Sequence, residues 1–296
     1  MEEYIDLHMH TAASVDGSFS AEELISQCRD AGLRIIAIAD HNSVRSLAHA
    51  ETAAKENHLR LIPAIEIDCT FETVNLHVLG YGIDWRQSVF GEIEDNVSRQ
   101  ELAASQQKLV LTNALGFALS KEQLERLSPS GIYTGEMFAE ALLQDPRYQD
   151  HELLKPYRAG GSRSDNPYVN FYWDWYSQDK PCYTEVHYPS LRSTVQAIRH
   201  AGGIPVLAHP GNNLKDRYEL FDAIIDAGVG GVEAFSSYHT PEAAQYFLEA
   251  GKRRRLLITC GSDYHGKTKP AIRLGRMHCT IDEHEIEAQL QEYGLL

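Results

Sequence analysis

Short apolar, β-rich runs that end on histidine or an acid recur along this chain, and they restrict its fold more than anything else. The first is Ile5-Asp6-Leu7-His8-Met9-His10-Thr11. Successive side chains of a strand alternate faces, so His8 and His10 point one way while Leu7 and Met9 point the other. The pattern returns at residues 34–40 (then His41), 61–66 (ending on Glu66), 74–83 (carrying His77 nearer its middle), 204–209 (ending on His209), 231–235, and 256–263, which ends on Asp263 with His265 just beyond.

Helical patterns separate most of these runs. Ser20 and Glu23 have capping-box spacing, Leu24, Ile25, Cys28 and Ala31 share a face, and Gly32 ends the segment. Further helices are expected over 43–57, from Ser190 to His200 with a stop at Gly202-Gly203, over 216–227, and from Thr240-Pro241 to about 253. Seven strands alternating with helices predict a parallel α/β barrel.

Residues 85–185 interrupt that rhythm, being polar and helical without buried-strand signatures. Helices are expected over 92–119, after the capping signal Ser120/Gln123, and over 135–143, followed by an aromatic run over 168–176. The division is therefore a barrel of residues 1–84 and 186–296 with a helical insertion, 85–185, between the fourth and fifth strands. The aromatic run either packs that insertion or offers a base-stacking platform, and packing is the expectation.

At 296 residues the chain has the length of one barrel-sized domain. A formal net charge of −15 argues against a broad basic face that grips long nucleic acid. The five cysteines are dispersed, with no C-x-x-C pair, which suits reduced and mostly buried thiols. No signal peptide and no apolar run long enough to span a bilayer is visible, so a cytoplasmic location without membrane contact is expected.

Active sites of parallel α/β barrels form at the carboxyl ends of the strands. Each polar residue there has a bland alternative: a hydrogen-bonded histidine, a buried Glu66 paired with an arginine, or Asp40 capping the next helix. Their coincidence at one rim points instead to a metal site. Imidazole and carboxylate without thiolate suit Zn, Mn or Fe, and more than four such groups imply more than one ion, with Glu66 the best bridging acid. Ions a few ångströms apart activate a bridging hydroxide for attack at phosphorus. A serine-nucleophile alternative lacks its G-x-S-x-G elbow.

In order along the chain, H-x-H-T at His8–Thr11, A-D-H at Ala39–His41, the strand-borne Glu66, H-V-L-G-Y from His77, A-H-P-G around His209 and G-S-D-Y-H around Asp263 resemble the polymerase and histidinol phosphatase (PHP) family, in particular its stand-alone phosphoesterases. The resemblance implies a distorted seven-stranded β/α barrel with up to three ions. One would be held by His8, His10, Glu66 and Asp263, a second by Glu66, His77 and His209, and a third by Asp16, His41 and His265. Asp16 could otherwise be a solvated turn residue. Asp40 would act in catalysis by orienting a ligand imidazole.

Family members recognise phosphate partly from the insertion. Where some relatives carry Arg and His at the start of an inserted helix, this chain has Thr134-Gly135-Glu136. Arg99, Arg158, Arg163 and Lys180 are candidate phosphate contacts, with surface charge as the alternative. His239 is a candidate to contact phosphate or protonate the leaving oxygen, with a structural role as its alternative. The expected activity is metal-dependent hydrolysis of a small phosphorylated metabolite such as a nucleotide or 3′,5′-nucleotide bisphosphate. The alternatives are a 5′-3′ exonuclease on short RNA or DNA and a non-catalytic module binding a phosphorylated ligand.

Overall fold

Each apolar run becomes a strand of one sheet, ordered β1 to β7. The computed structural model describes residues 3–128 and 130–296. In chain order the first elements are β1 (Ile5–Met9), α1 (Ala21–Asp30), β2 (Ile35–Ile38), α2 (Leu47–Glu56), β3 (Arg60–Phe71) and β4 (Val74–Tyr81). Both halves of the Ser20 capping box form: Ser20 Oγ accepts from the Glu23 amide and Glu23 accepts from the Ser20 amide. The second half of the barrel comprises β5 (Ile204–Leu207), β6 (Gly231–Ser236) and β7 (Leu257–Gly261). β1 meets the exit of β7, where the Asp263 amide donates to the His8 carbonyl at 2.8 Å and the His10 amide to the Tyr264 carbonyl at 2.9 Å. The sheet is thereby nearly closed into a distorted barrel.

The expectation of uniformly parallel strands is corrected at β4, which runs antiparallel to both β3 and β5. No helix separates β3 from β4. β3 continues past Glu66 to Phe71 and the chain turns back at Glu72-Thr73, with Glu72 at φ +53°. A reversal this short can join only antiparallel strands, because a parallel pair needs a crossover. The reversal places the start of β4 beside the end of β3, with His77 opposite Asp68. His77 therefore lies at the rim and not below it.

Between β4 and β5 the chain forms α3 (Ser88–Ala114), α4 (Lys121–Glu125), α5 (Gly135–Gln144) and α6 (Pro167–Trp175), and α7 (Leu191–His200) then leads back into β5. The expected one or two helices over 92–119 are a single long helix. Phe117, Leu124, Tyr133, Phe138, Leu142, Phe171 and Tyr176 bury one another here, apart from the barrel core. The barrel is finished by α8 (Pro210–Leu214), α9 (Phe221–Asp226), α10 (Pro241–Arg254) and α11 (Glu283–Glu292). The helix expected over 216–227 is a 3₁₀ turn at Tyr218–Leu220 followed by α9, and α11 was not foreseen. All five cysteines are free, four of them buried. Among the described residues no helix is long and apolar enough to cross a membrane.

Candidate metal centre and active site

Strand alternation turns His8, His10 and Glu66 inward at the mouth of the barrel, where all three are fully buried. Glu66 is the hub. Its Oε2 lies 3.2 Å from His8 Nε2, 3.3 Å from His10 Nε2 and 3.1 Å from His41 Nδ1. Its Oε1 lies 3.0 Å from His77 Nδ1 and 3.1 Å from His209 Nε2. Asp263 Oδ1 approaches His10 Nε2 at 3.0 Å and His8 Nε2 at 3.3 Å, and Asp16 Oδ2 lies 3.2 Å from His265 Nε2. All nine side chains named from the sequence as metal ligands thus converge on one cluster.

Neighbouring groups orient the rings. His8 Nδ1 lies 3.0 Å from Glu233 Oε1, and His265 Nδ1 donates to the Asp263 carbonyl, which has no proton to give, at 2.8 Å. Ser14 spends its hydroxyl proton on Asp40 Oδ1 (2.9 Å), so it accepts from His10 Nδ1 (3.0 Å) and from the His41 amide (2.9 Å). In all three rings Nδ1 is turned to these outer partners and Nε2 faces the cluster. Asp40 also accepts from the Thr11 amide and hydroxyl and from Ser46 Oγ. It pins the loop after β1 and steers His10 through Ser14, without reaching the cluster itself.

The cluster also shows backbone strain. His209, Asp263 and Asn42 adopt φ of +24°, +57° and +54°, conformations that cost on the order of 1–3 kcal/mol each and gather at functional sites. Gly261 allows the closest approach. A Cβ there would lie 2.2 Å from His8 Cβ and 2.5 Å from Glu233 Oε1.

Two acids escaped the sequence reading. Asp68 follows Glu66 by two residues on the same strand face, and its Oδ1 lies 3.1 Å from His77 Nε2 and 3.5 Å from His41 Nδ1. Asn42 holds its other oxygen at 2.6 Å. The E-I-D alternation was the available signal. Glu233 is a fully buried acid in an apolar strand, joining His8 to the His209 amide (2.8 Å). Its setting in Gly231-Val-Glu-Ala-Phe235 was equally visible.

Burial and mutual attraction set the charges of the cluster. Burial alone would raise the carboxyls, yet the imidazoles around Glu66 and the Lys269 ammonium beside Asp263 hold both well below the usual range. Burial disfavours charge on His41, but Glu66 and Asp68 raise it to about 10. Burial takes His265 down to about 4 against the pull of Asp16. His8 Nε2, His10 Nε2, His41 Nδ1, Glu66 Oε2, Asp68 Oδ1, Asp263 Oδ1 and His265 Nε2 are buried without a hydrogen-bond partner. Leaving such groups unpaired costs about 1–3 kcal/mol each, so their facing one another is informative. Three sets have donor atoms close enough to share an ion: His8/His10/Glu66/Asp263, His10/His41/His265 and His41/Glu66/His77. This oxygen–nitrogen donor set fits divalent ions.

Above the cluster lies a cavity of about 830 Å³ between barrel and insertion. Asp16, His41, Asp68, His77, His209 and Asp263 form its floor, and Glu136, Tyr172, Trp173, Tyr176 and Tyr188 part of its wall. The aromatic run is thus shared. Phe171 is buried in the insertion core while Tyr172 and Trp173 face the cavity. Lys269, only 9% exposed, also lines the cavity and places Nζ 2.8 Å from Asp263 Oδ2. Burial would strip its proton, but Asp263, Tyr238 and Asp16 hold it well above the ordinary lysine value.

The cations expected to meet phosphate do not line this cavity. Arg158 donates to the carbonyls of Leu143 and Tyr148, and Arg163 forms a fork with Asp174 at 2.9 and 3.0 Å. Arg99 bonds the Asp95 carbonyl on its own helix, and Lys180 is exposed elsewhere. His239 is corrected too. Its Nδ1 donates to the Ala234 carbonyl (2.9 Å) and its Nε2 accepts from the Gly211 amide (3.0 Å), so neither nitrogen is left for substrate. It fastens the loop after His209.

A family model for the PHP domain matches residues 6–162, more than half of the chain. Among curated proteins, a phosphoribosyl 1,2-cyclic phosphate 1,2-diphosphodiesterase from Eggerthella lenta is 28% identical, covering 88% of this chain and 94% of its own. The 5′-3′ exoribonuclease Rnm of Escherichia coli is 26% identical over 92% and 88%. A 3′,5′-nucleoside bisphosphate phosphatase from Chromobacterium violaceum is 25% identical over 97% of both. Among solved structures, a protein from Bifidobacterium adolescentis assigned provisionally as a metal-dependent phosphoesterase superposes with a TM-score of 0.78 at 27% identity, over 98% of this chain and 96% of its own.

Proposed function

From the premise that this chain belongs to the PHP-domain family and is a metal-dependent phosphoesterase, we propose that it hydrolyses a small phosphorylated metabolite, a nucleotide or nucleoside bisphosphate, at the cluster around Glu66. The observation that carries the proposal is the convergence of partnerless imidazole nitrogens and carboxylate oxygens on one point beneath a walled cavity. A cavity of about 830 Å³ lies within the usual range for small-molecule sites.

In this reading two to three divalent ions, Mn, Zn or Fe, are held by His8, His10, Asp16, His41, Glu66, His77, His209, Asp263 and His265. Bound there, such ions supply Lewis-acid activation of water and neutralise charge developing at phosphorus. The chain's own residues do the rest. Glu66 presents one oxygen to each side of the cluster and so acts as the shared acid. Asp40 through Ser14, and Glu233 directly, hold His10 and His8 with Nε2 aimed inward. The insertion wall restricts water and positions the organic part of the substrate.

The Rnm relative acts on RNA, which favours a second reading, a 5′-3′ exonuclease on short strands. The acidic balance and the acids lining the cavity speak for the small substrate. Phosphate release from nucleotides, nucleoside bisphosphates, sugar phosphates and short oligonucleotides separates the two. Turnover concentrated on nucleotides and bisphosphates is expected, and processive shortening of oligonucleotides with little release from mononucleotides would overturn the choice.

A further inference from the structure

We propose that Lys269, anchored on Asp263, is the cationic contact for the phosphoryl group, supplied by the barrel and not by the insertion. The inference rests on the phosphoesterase reading and adds a residue to it.

An ammonium carries three protons. One is spent on Asp263 Oδ2 at 2.8 Å, and among the described residues that is its sole hydrogen bond or ion pair within 4 Å. Lys269 nevertheless lines the cavity, which leaves its remaining donors available to what the cavity holds. The Tyr238 ring, which also lines the cavity, has its centroid 5.6 Å from Nζ.

The position is also fixed. Lys269 follows the 3₁₀ turn Gly266–Thr268, which is tied to the loop after β1: the Lys267 amide donates to Ser18 Oγ (2.9 Å) and Thr268 Oγ1 to the Asp16 carbonyl (2.5 Å). The ammonium therefore sits beside Asp263, whose other oxygen, Oδ1, is the partnerless one facing His8 and His10. A point charge held there meets phosphoryl oxygens without reorganising. Of the other cavity cations, Lys108 is engaged on Glu101, Arg45 on Glu94 and Arg217 on Glu72 and Glu219, while the exposed Lys215 lies over the Trp173 ring, away from Asp263.

The test titrates inorganic phosphate calorimetrically into Mn-loaded wild type, K269M and K269Q, with metal per chain measured on the same samples. Both variants are expected to keep the wild-type metal complement and to bind phosphate about tenfold more weakly or worse. K269R should recover part of the loss. The glutamine variant keeps a polar tip on a side chain one atom shorter, so it decides the matter if the methionine variant does not fold. Wild-type phosphate affinity in either folded variant, a loss that merely tracks lost metal, or a wild type that binds no phosphate would each overturn the proposal. Failure of the phosphoesterase reading is distinct: it would show as no ester hydrolysis by wild type, whatever the phosphate titrations give.

Discussion

The barrel mouth and the insertion both carry many polar and aromatic side chains, but they treat charge in opposite ways. In the insertion charge is paired. Arg163 forks onto Asp174, Tyr157 donates to the same carboxylate, Lys108 meets Glu101 and Arg147 meets Asp145. In the barrel mouth, carboxylates and imidazoles crowd together with their inward atoms unpartnered. Isolated ion pairs belong to scaffolding, whereas so many buried ionisable groups crowded on one point, with their hydrogen-bonding atoms unsatisfied, cost too much to persist unless they serve something bound. In the proposed reading, the mouth is the region that does chemistry and the insertion the one that selects what reaches it.

Glu66→Gln should break the comparison most sharply. With one shared oxygen made an amide, turnover is expected to fall about 10³-fold or more, with loss of bound metal and little change in far-UV circular dichroism. His8→Ala and Asp263→Ala should behave likewise, and near-wild-type turnover in purified, folded protein would argue against the cluster. Gly261→Ala tests the backbone instead. Its Cβ would enter the space of His8 and Glu233, so metal content and activity should fall together even though no candidate ligand is altered.

The insertion should respond differently. Phe138→Ala deletes a fully buried ring and should cost about 3–5 kcal/mol of stability in denaturant titrations while the folded protein keeps its metal. Tyr172→Ala, on the cavity wall, should raise KM about tenfold with a smaller change in kcat and none in metal content. A kcat collapse with unchanged KM would put the insertion inside the chemistry and dissolve the distinction.

The sign of the pH dependence follows from His41. Raised to about 10 by Glu66 and Asp68, it holds a proton at neutral pH in metal-free protein. That proton leaves when an ion takes the nitrogen, so metal uptake should release protons and metal affinity should fall as pH is lowered. Calorimetry in buffers of different ionisation enthalpy measures the release directly.

The mouth was largely legible in the sequence because its residues sit at strand ends, where a period of two and the exit of each strand fix their direction. His8, His10, Glu66, His209 and Asp263 needed only local pattern, and Asp16 came from a family motif, while of the three implied ligand groupings only His8/His10/Glu66/Asp263 recurs among the sets close enough to share an ion. Asp68 was legible but passed over, although it shares Glu66's face. What stayed hidden depended on tertiary partners. Nothing near Arg158 in sequence announces that the Leu143 carbonyl would take it, and nothing near His239 announces the Gly211 amide. The direction of β4 was hidden too, because an apolar strand reads alike in either sense until the Glu72-Thr73 reversal is seen.

Counting the metal is the most direct trial. Purified protein analysed by plasma mass spectrometry, before and after exhaustive chelation and with Glu66→Gln alongside, should show two to three divalent ions per chain, lost with activity on chelation, restored together by Mn, Zn or Fe, and depleted in the variant. Full phosphate release from protein carrying no transition metal would contradict the account at its base.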